Sequence, residues 1–174
     1  MESLEQKHIS MIAEAQRRGR GDAGGIRLCF EVLALASAID RSCALRLAPH
    51  RLSEGKFVLL CLLHDRSEGL APHELATRAG VTRATVTGLL DGLERDGYVS
   101  RQAHREDRRK ILVMLTPSGQ VLADALFDEH SQWIASLFNG FEPQDRKTLS
   151  NLLARVRHNL AEGEHTDTPS AEGA

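Results

Sequence analysis

The sequence predicts a mainly α-helical fold with one small β-hairpin, and three neighbouring features support this prediction. A short helix begins near Pro72, a second helix follows a glycine break at Gly80, and a basic hairpin follows Gly97. A proline is favoured at a first helical position, and glycine commonly ends a helix in the left-handed conformation. Two short helices around a tight turn, followed by a hairpin, are typical of a protein segment that reads DNA.

The second helix has an amphipathic pattern that suits recognition of a base-pair edge. Thr82 is a candidate N-cap, because its hydroxyl can accept a backbone N–H. Apolar residues follow on one stripe (Val86, Leu89, Leu90 and Leu93), and the opposite face carries Arg83, Thr87, Gly88 and Asp91. Small hydroxyl side chains and one arginine near the helix start allow the backbone to approach DNA closely.

The segment after Gly97 is predicted to form two strands joined by a basic loop. Residues 98–100 and 111–115 have the composition of strands, and residues 102–110 connect them. Residues 101–110 contain five cationic and two acidic side chains, so they carry +3 in a chain with a net charge of −2. A charged hairpin considered on its own is equally compatible with a solvated loop that binds no partner. Behind a helix-turn-helix, the charge predicts contact with DNA phosphates or a minor groove.

An ordered series of motifs runs through this region. They are Leu75-Ala76, residues 80–87, residues 90–94, Gly97-Tyr98-Val99, Arg101, Asp107-Arg108-Arg109, residues 113–117 and Gly119. Together they resemble the MarR family of winged-helix transcription regulators, and the resemblance extends in weaker form over about residues 27–162. It implies a homodimer that places each recognition helix in a major groove and each wing arginine in the flanking minor groove.

The resemblance also implies roles for the wing. Asp107 is expected to orient the inserted Arg109, and small molecules or oxidants bound between the dimer and DNA-reading regions are expected to alter DNA affinity. With the exposed face of the recognition helix, the predicted DNA-binding residues are Thr82, Arg83, Thr85, Thr87, Arg105, Asp107, Arg108 and Arg109. The predicted function is a sequence-specific regulator, most simply a repressor, that binds a pseudo-palindromic operator in double-stranded DNA and is released by a small-molecule effector.

Apolar stripes on both sides of the DNA-reading segment predict dimerisation helices. The first stripe comprises Leu28, Val32, Leu35, Ala36, Ile39 and Cys43, and Pro49 closes its helix; long helices also start at Pro117 and Pro143. These stripes present more apolar surface than one compact core requires. The simplest explanation is that a second copy of the chain buries it. The alternative is a monomer whose end helices fold back on it.

These patterns divide the chain into three parts. Residues 1–26 are an N-terminal extension compatible with an amphipathic helix, which either covers the dimer or frays. Residues 27–162 form the MarR-type domain, with the winged helix-turn-helix at about 53–116 and dimerisation helices at about 27–49 and 117–162. Residues 163–174 are expected to be disordered, because they have little to bury.

Composition indicates one domain without an enzyme site. The chain has 174 residues, of which 41% are hydrophobic, and it has no apolar run of membrane-spanning length and no signal-peptide pattern. We therefore expect a cytoplasmic protein that does not associate with membranes. The eight histidines and three cysteines show no metal-ligand or nucleophile spacing, so we expect no catalysis, no metal and no cofactor.

Cys29 supports an alternative function, the sensing of oxidants. Its position resembles that of the reactive cysteine in the organic-hydroperoxide sensors of the same family. Cys43 and Glu54 occupy the positions of their partner tyrosines. Without those phenols a thiolate loses stabilising hydrogen bonds, and a buried cysteine acting as a small hydrophobe is commoner. A winged helix used only for protein interaction is a third possibility, which the cations of the wing disfavour.

Overall fold

A computed structural model describes residues 6–19, 22–103 and 111–166 of the chain. Its elements are α1 (Gln6–Arg18), α2 (Ala23–Leu47), a 3-10 turn (Ala48–His50), α3 (Glu54–Leu63), α4 (Pro72–Ala79), α5 (Arg83–Arg95), β1 (Val99–Ala103), β2 (Ile111–Leu115), α6 (Pro117–Ser136) and α7 (Pro143–Thr166). They fall into two compact units, Met1–Phe127 and Asp128–Ala174. The predicted mainly helical fold with a small β wing is confirmed.

Side-chain caps and prolines place the helix starts of the DNA-reading segment. The Ser53 hydroxyl accepts the Lys56 N–H at 3.4 Å, and the Thr82 hydroxyl accepts the Thr85 N–H at 3.1 Å. Pro72 occupies the first turn of α4, and Gly80 follows that helix with φ 66°. Pro72, Gly80 and Thr82 were predicted boundaries, because caps, prolines and left-handed glycines act on the residues next to them.

Three boundaries differ from the predicted ones. Helix α2 begins at Ala23 rather than near residue 27, because the Asp22 carboxylate accepts the Gly24 N–H at 2.9 Å and caps it. Strand β1 continues to Ala103, which pairs with Ile111, so the wing is longer than residues 98–100 suggested. Helix α7 extends to Thr166, four residues into the segment expected to be disordered.

The N-terminal extension contains a helix that packs on its neighbour. Within α1, the His8 ring stacks on the Phe30 ring of α2, with centroids 4.4 Å apart and ring planes inclined by 19°. Helix α1 has an amphipathic composition, but it buries none of its residues fully. This helix therefore attaches to α2 by partial contacts.

The core of the first unit lies beneath α5. Its largest fully buried side chains come from α2, α3, α4, α5 and β2: Leu47, Leu59, Leu60, Leu63, Leu75, Val86, Leu90, Leu93 and Val113. Three of the four residues of the predicted α5 stripe are among them, and Leu89 is partly exposed. Burying this stripe holds α5 on α3 and α4, and it leaves the opposite face of the helix in solvent.

Apolar side chains on α2 and α7 are exposed in the single chain. Leu28, Val32 and Leu35 on α2 are among them, with Leu35 61% exposed. On α7 the exposed set is Leu152, Leu153, Val156 and Leu160. These residues belong to the two stripes that the sequence assigned to a dimer. The first unit buries only Cys43 and Leu47 of α2.

His64 connects the end of α3 to α6. Its Nε2 atom hydrogen-bonds to the carboxylate of Asp124 on α6, and its Nδ1 atom lies 3.0 Å from an Asp65 carboxylate oxygen. The hydrogen bond to Asp124 raises the pKa of His64 above its usual value of 6.5, and the charge of Asp65 raises it further. Partial burial opposes this shift. The imidazolium form thus joins two elements of the first unit.

This ion pair predicts a pH dependence of stability. The folded-state pKa of His64 is raised, so its contribution is fully present below the unfolded-state pKa of about 6.5 and is lost as the pH rises through the folded-state value. Urea unfolding followed by circular dichroism should therefore show a larger fall in midpoint from about pH 6 to about pH 8.5 in the wild type than in His64→Gln.

Two further variants make this comparison specific. Asp124→Asn should flatten the pH profile like His64→Gln, whereas His73→Gln, which removes an exposed histidine of α4, should keep the wild-type profile. Identical profiles for the wild type and His64→Gln would show that the ion pair contributes nothing to folding.

Candidate DNA-binding surface

The outer face of α5 brings together four of the predicted DNA-binding residues. Thr82, Arg83, Thr85 and Thr87 are all exposed, and they occupy the cap and first turns of the helix. No carboxylate among the described residues pairs with Arg83. An exposed guanidinium and small hydroxyl groups at a helix start are suited to bind phosphate oxygens and base edges.

The threonine hydroxyls also have roles within the helix. The Thr82 hydroxyl caps α5 and lies 2.8 Å from the Thr85 hydroxyl. The Thr87 hydroxyl donates to the Arg83 carbonyl oxygen at 3.0 Å. Its lone pairs therefore remain available to accept a hydrogen bond from a base amino group, while Thr82 and Thr85 also hold the helix start.

Gly88 leaves the middle of this face open. A Cβ atom added at this position would meet no atom of the described residues within 4 Å, apart from its own helix backbone and chain neighbours. Glycine inside a helix lowers helix stability by about 1 kcal/mol relative to alanine. No packing contact among the described residues requires a glycine here, and the open position would allow an external surface to approach the helix backbone closely.

The wing is a short antiparallel sheet attached to the helical core. Arg101 of β1 is opposite Val113 of β2, and Val113 forms an isolated bridge with Leu70 in the segment before α4. The predicted wing residues Arg105, Asp107, Arg108 and Arg109 lie outside the described residues. They belong to the segment that connects Ala103 to Ile111.

Arg101 has a role that the sequence analysis missed. Its Nη1 group donates to Glu94 at 2.8 Å, and its Nη2 group donates to Asp91 at 2.6 Å. The charge count of the hairpin treated Arg101 as one of five available cations, but two carboxylates of α5 already balance it. Two acidic residues one turn apart before a strand arginine were the sequence signal for this arrangement.

A second ion pair fixes the same C-terminal end of α5. Lys56 of α3 binds Asp96 at 2.8 Å, and this hydrogen bond lowers the pKa of the Asp96 carboxyl. The Lys56 stem lies over Gly92, where an added Cβ would be 2.7 Å from the lysine Cε. The start of α5 is therefore left for external contacts, while its end is held by the chain itself.

The three cysteines have different surroundings. Cys29 is exposed on α2, Cys43 is buried, and Cys61 of α3 is partly buried. Burial raises the pKa of the Cys43 thiol, and the negative charges of Glu54 and Asp40 raise it further. Burial also raises the pKa of the Cys61 thiol. Access to solvent therefore singles out Cys29 among the three thiols.

The described residues show neither a metal cluster nor a membrane helix. Within residues 6–19, 22–103 and 111–166, no group of three or more His, Cys, Asp or Glu side chains is arranged to hold a metal ion. No helix in the part of the chain that the structure describes has the length and apolar character needed to cross a membrane.

A cavity lies between α3 and α6 within the first unit. It has a volume of about 490 Å³, and its lining residues are Cys61, His64, Asp65, Arg66, Ala123 and Phe127. This lining combines apolar surface with a few polar and charged groups, as small-molecule sites commonly do.

Comparison with known proteins places this surface in a family context. The model of the MarR family matches residues 52–111. The chain is 37% identical over 155 residues to the HTH-type transcriptional repressor YetL of Bacillus subtilis (strain 168), which covers 86% of this chain and 92% of the relative. The matched region therefore extends well beyond the helix-turn-helix.

Solved structures have the same fold. Streptococcus pneumoniae FabT in complex with DNA matches with a TM-score of 0.66 and 19% identity, covering 78% of this chain and 96% of that chain. Bordetella bronchiseptica BpsR, described with regulation of its DNA binding by 6-hydroxynicotinic acid, matches with a TM-score of 0.60 and 26% identity. This match covers 73% of this chain and 91% of BpsR.

The open face of α5 predicts opposite effects of one methyl group on folding and on DNA binding. Gly88→Ala should increase the free energy of unfolding by about 0.5–1 kcal/mol, because alanine favours the helix and the site has room. It should weaken binding to a duplex that the wild type selects from a random pool, because the methyl group would separate helix and bases.

Urea unfolding and fluorescence anisotropy measure the two quantities. Gly163→Ala, at another open helical site, serves as the control that alters stability without altering DNA affinity. Unchanged affinity in Gly88→Ala would show that no surface approaches α5 closely at this point.

Proposed function

The chain belongs to the MarR family of DNA-binding transcription regulators, and on this basis we propose that it is a homodimeric repressor of a pseudo-palindromic operator, released by a small-molecule effector. The observation that carries the proposal is the outer face of α5, where Arg83, Thr87 and Gly88 are exposed above a buried apolar stripe. This face has the size, charge and hydrogen-bonding groups needed in a major groove.

The proposal gives each residue of the site a role. Arg83 and Thr87 contact base edges, while Thr82 and Thr85 hold the helix start and contact the phosphate backbone. Arg105 and Arg108 contact phosphates from the wing. Arg109 enters the adjacent minor groove, where Asp107 orients its guanidinium.

Dimerisation is supported by the exposed apolar side chains of α2 and α7. Exposed apolar side chains along a helix are costly to leave in water, and a two-fold related copy offers the same helices as their cover. A dimer also presents two α5 helices to half-sites about 34–36 Å apart, so that both helices bind one face of a duplex.

The cavity between α3 and α6 is the proposed effector site. His64 and Arg66 provide polar contacts there, and Phe127 provides apolar surface. A ligand that binds in this cavity acts on α3, which packs against α5, and on α6, which follows the wing directly. Such a ligand regulates DNA binding if its affinity differs between the DNA-bound and free conformations. BpsR is a relative whose DNA binding is regulated by a small molecule.

Replacement of Arg83 tests the DNA-binding surface. Arg83→Ala should cost roughly 1–3 kcal/mol of affinity for the selected duplex, and less for a random-sequence duplex. Arg95→Ala removes an exposed arginine from the opposite end of the same helix, so it should leave both affinities near the wild-type values. Anisotropy titrations at several salt concentrations measure this, and sedimentation equilibrium checks the dimer.

Two results would contradict the assigned role. Equal losses on both duplexes would mean that Arg83 only positions the phosphate backbone. Unchanged affinity for both duplexes, with the dimer intact, would exclude the start of α5 from the DNA interface.

The exposure of Cys29 favours one second candidate, a regulator that senses oxidants. We expect hydroperoxide to leave DNA affinity unchanged in both the wild type and Cys29→Ser, because Cys43 and Glu54 supply no phenol that would stabilise a thiolate. Anisotropy before and after hydroperoxide, and then after thiol reductant, measures this. Release that reductant reverses in the wild type, and that Cys29→Ser abolishes, would establish oxidant sensing instead.

A further inference from the structure

Strand β1 is attached to α5 at two separate points. The first is the turn between them, where the hydroxyls of Thr116 and Ser118 donate to the Gly97 carbonyl oxygen at 2.7 and 3.0 Å. Gly97 has φ 77°, a conformation that lets the chain reverse between the helix and the strand. This turn fixes the start of the wing, and the bridge of Val113 to Leu70 holds β2, so a side-chain contact from β1 to α5 adds a further restraint on the angle between the wing and the helix.

The second attachment is the guanidinium of Arg101. It donates to Asp91 and Glu94 through different nitrogens, at 2.6 and 2.8 Å, and the Arg101 side chain is only 27% exposed. Asp91 and Glu94 are one turn apart on α5. A planar group that binds two points along a helix restrains both distance and rotation, which a single contact does not.

The attachment lies between the turn and the segment that carries the wing cations. Arg101 comes two residues before Ala103, the last residue of β1, and it is opposite the buried Val113. Among the described residues, no other side chain of β1 binds α5 by an ion pair. The contact therefore restrains the part of β1 that lies farthest from the turn at Gly97.

The same contact changes the electrostatics of the α5 surface. Arg83, Thr87 and Asp91 follow one another at intervals of four residues, so they share one helix face. An uncompensated Asp91 would repel phosphates on the surface that Arg83 presents to DNA. Arg101 supplies the compensating charge for Asp91 and shares it with Glu94.

We propose that Arg101 is a positioning residue, which sets the angle of the wing to the recognition helix by binding Asp91 and Glu94 rather than by binding DNA. The inference rests on the proposed function. Arg101 holds the wing so that its cations and α5 bind the same duplex, and the two acidic residues are as necessary for this geometry as the arginine.

Neutralising the two acidic residues distinguishes a positioning role of Arg101 from direct DNA contact, because the two roles predict different changes in DNA affinity. Asp91→Asn/Glu94→Gln makes the net charge more positive by two units and removes both carboxylate partners of Arg101. If Arg101 itself binds phosphate, affinity for the selected duplex should stay constant or rise. We expect instead a loss of roughly tenfold or more, similar to that in Arg101→Ala, because the wing is no longer held. The variant with all three changes should bind no more weakly than Arg101→Ala.

Two controls accompany these variants. Asp128→Asn/Glu129→Gln makes the same change of net charge on α6 and should not weaken binding. Arg101→Lys keeps the charge but cannot donate a planar fork to two carboxylates, so it should show most of the loss seen in Arg101→Ala. Wild-type affinity in Arg101→Lys would show that charge alone suffices, and it would overturn the proposal.

Hydrogen exchange tests the attachment without DNA. In the free protein, Arg101→Ala and Asp91→Asn/Glu94→Gln should both increase amide exchange at Ala103 and Ile111, relative to the amides of the buried stripe of α5. Unchanged exchange would overturn the attachment itself, whereas absence of salt-dependent duplex binding by the wild type would overturn the proposed function instead. Equal or tighter operator binding by Asp91→Asn/Glu94→Gln would assign Arg101 to DNA contact.

Discussion

Burial of the inner stripe of α5 is the constraint on which the rest of the molecule depends. Val86, Leu90 and Leu93 are fully buried, and together they fix which side of the helix faces outward. A helix with one apolar stripe has a single stable orientation on a core, so burial of the stripe is sufficient to expose the polar face to solvent. The recognition surface is therefore a consequence of packing.

Electrostatic contacts then divide α5 into a free start and an occupied end. Asp91, Glu94 and Asp96 all bind cations of neighbouring elements, whereas Arg83 has no such partner among the described side chains. Ion pairs this exposed contribute little to folding, with a typical value of about 0–1 kcal/mol. Their effect is mainly geometric, because the two pairs of Arg101 connect α5 to β1 and the pair of Lys56 connects its C-terminal cap to α3.

Local signals in the sequence predicted most of this architecture. Thr82 and Pro72 mark helix starts because a cap or a proline acts on the first turn alone, and the apolar spacing of α5 was enough to identify its buried face. The Arg101 contact was missed because the count of charges along the chain does not show which ones meet across a turn. The start of α2 at Ala23 was not predicted, because Gly24 and Gly25 disfavour a helix and the capping contact of Asp22 outweighs them.

Features that involve residues far apart in the sequence were inferred from the resemblance to the MarR family, or they remain predictions. The roles of Arg105, Asp107, Arg108 and Arg109 rest on motif position, since that segment lies outside the described residues. The apolar stripes of α2 and α7 were recognised from spacing. Their exposure in one chain is visible only once the core is known, because the sequence alone does not show how much apolar surface a single copy buries.

The unequal exposure of the three thiols makes the protein suited to chemical labelling at one position. Maleimides react with accessible thiolates, and burial both raises the pKa of Cys43 and Cys61 and restricts access to them. A fluorophore added near neutral pH should therefore attach to Cys29, without prior removal of the other cysteines. Because Cys29 is adjacent to the exposed Leu28 of α2, the emission of the attached fluorophore would respond to a second copy that covers this helix.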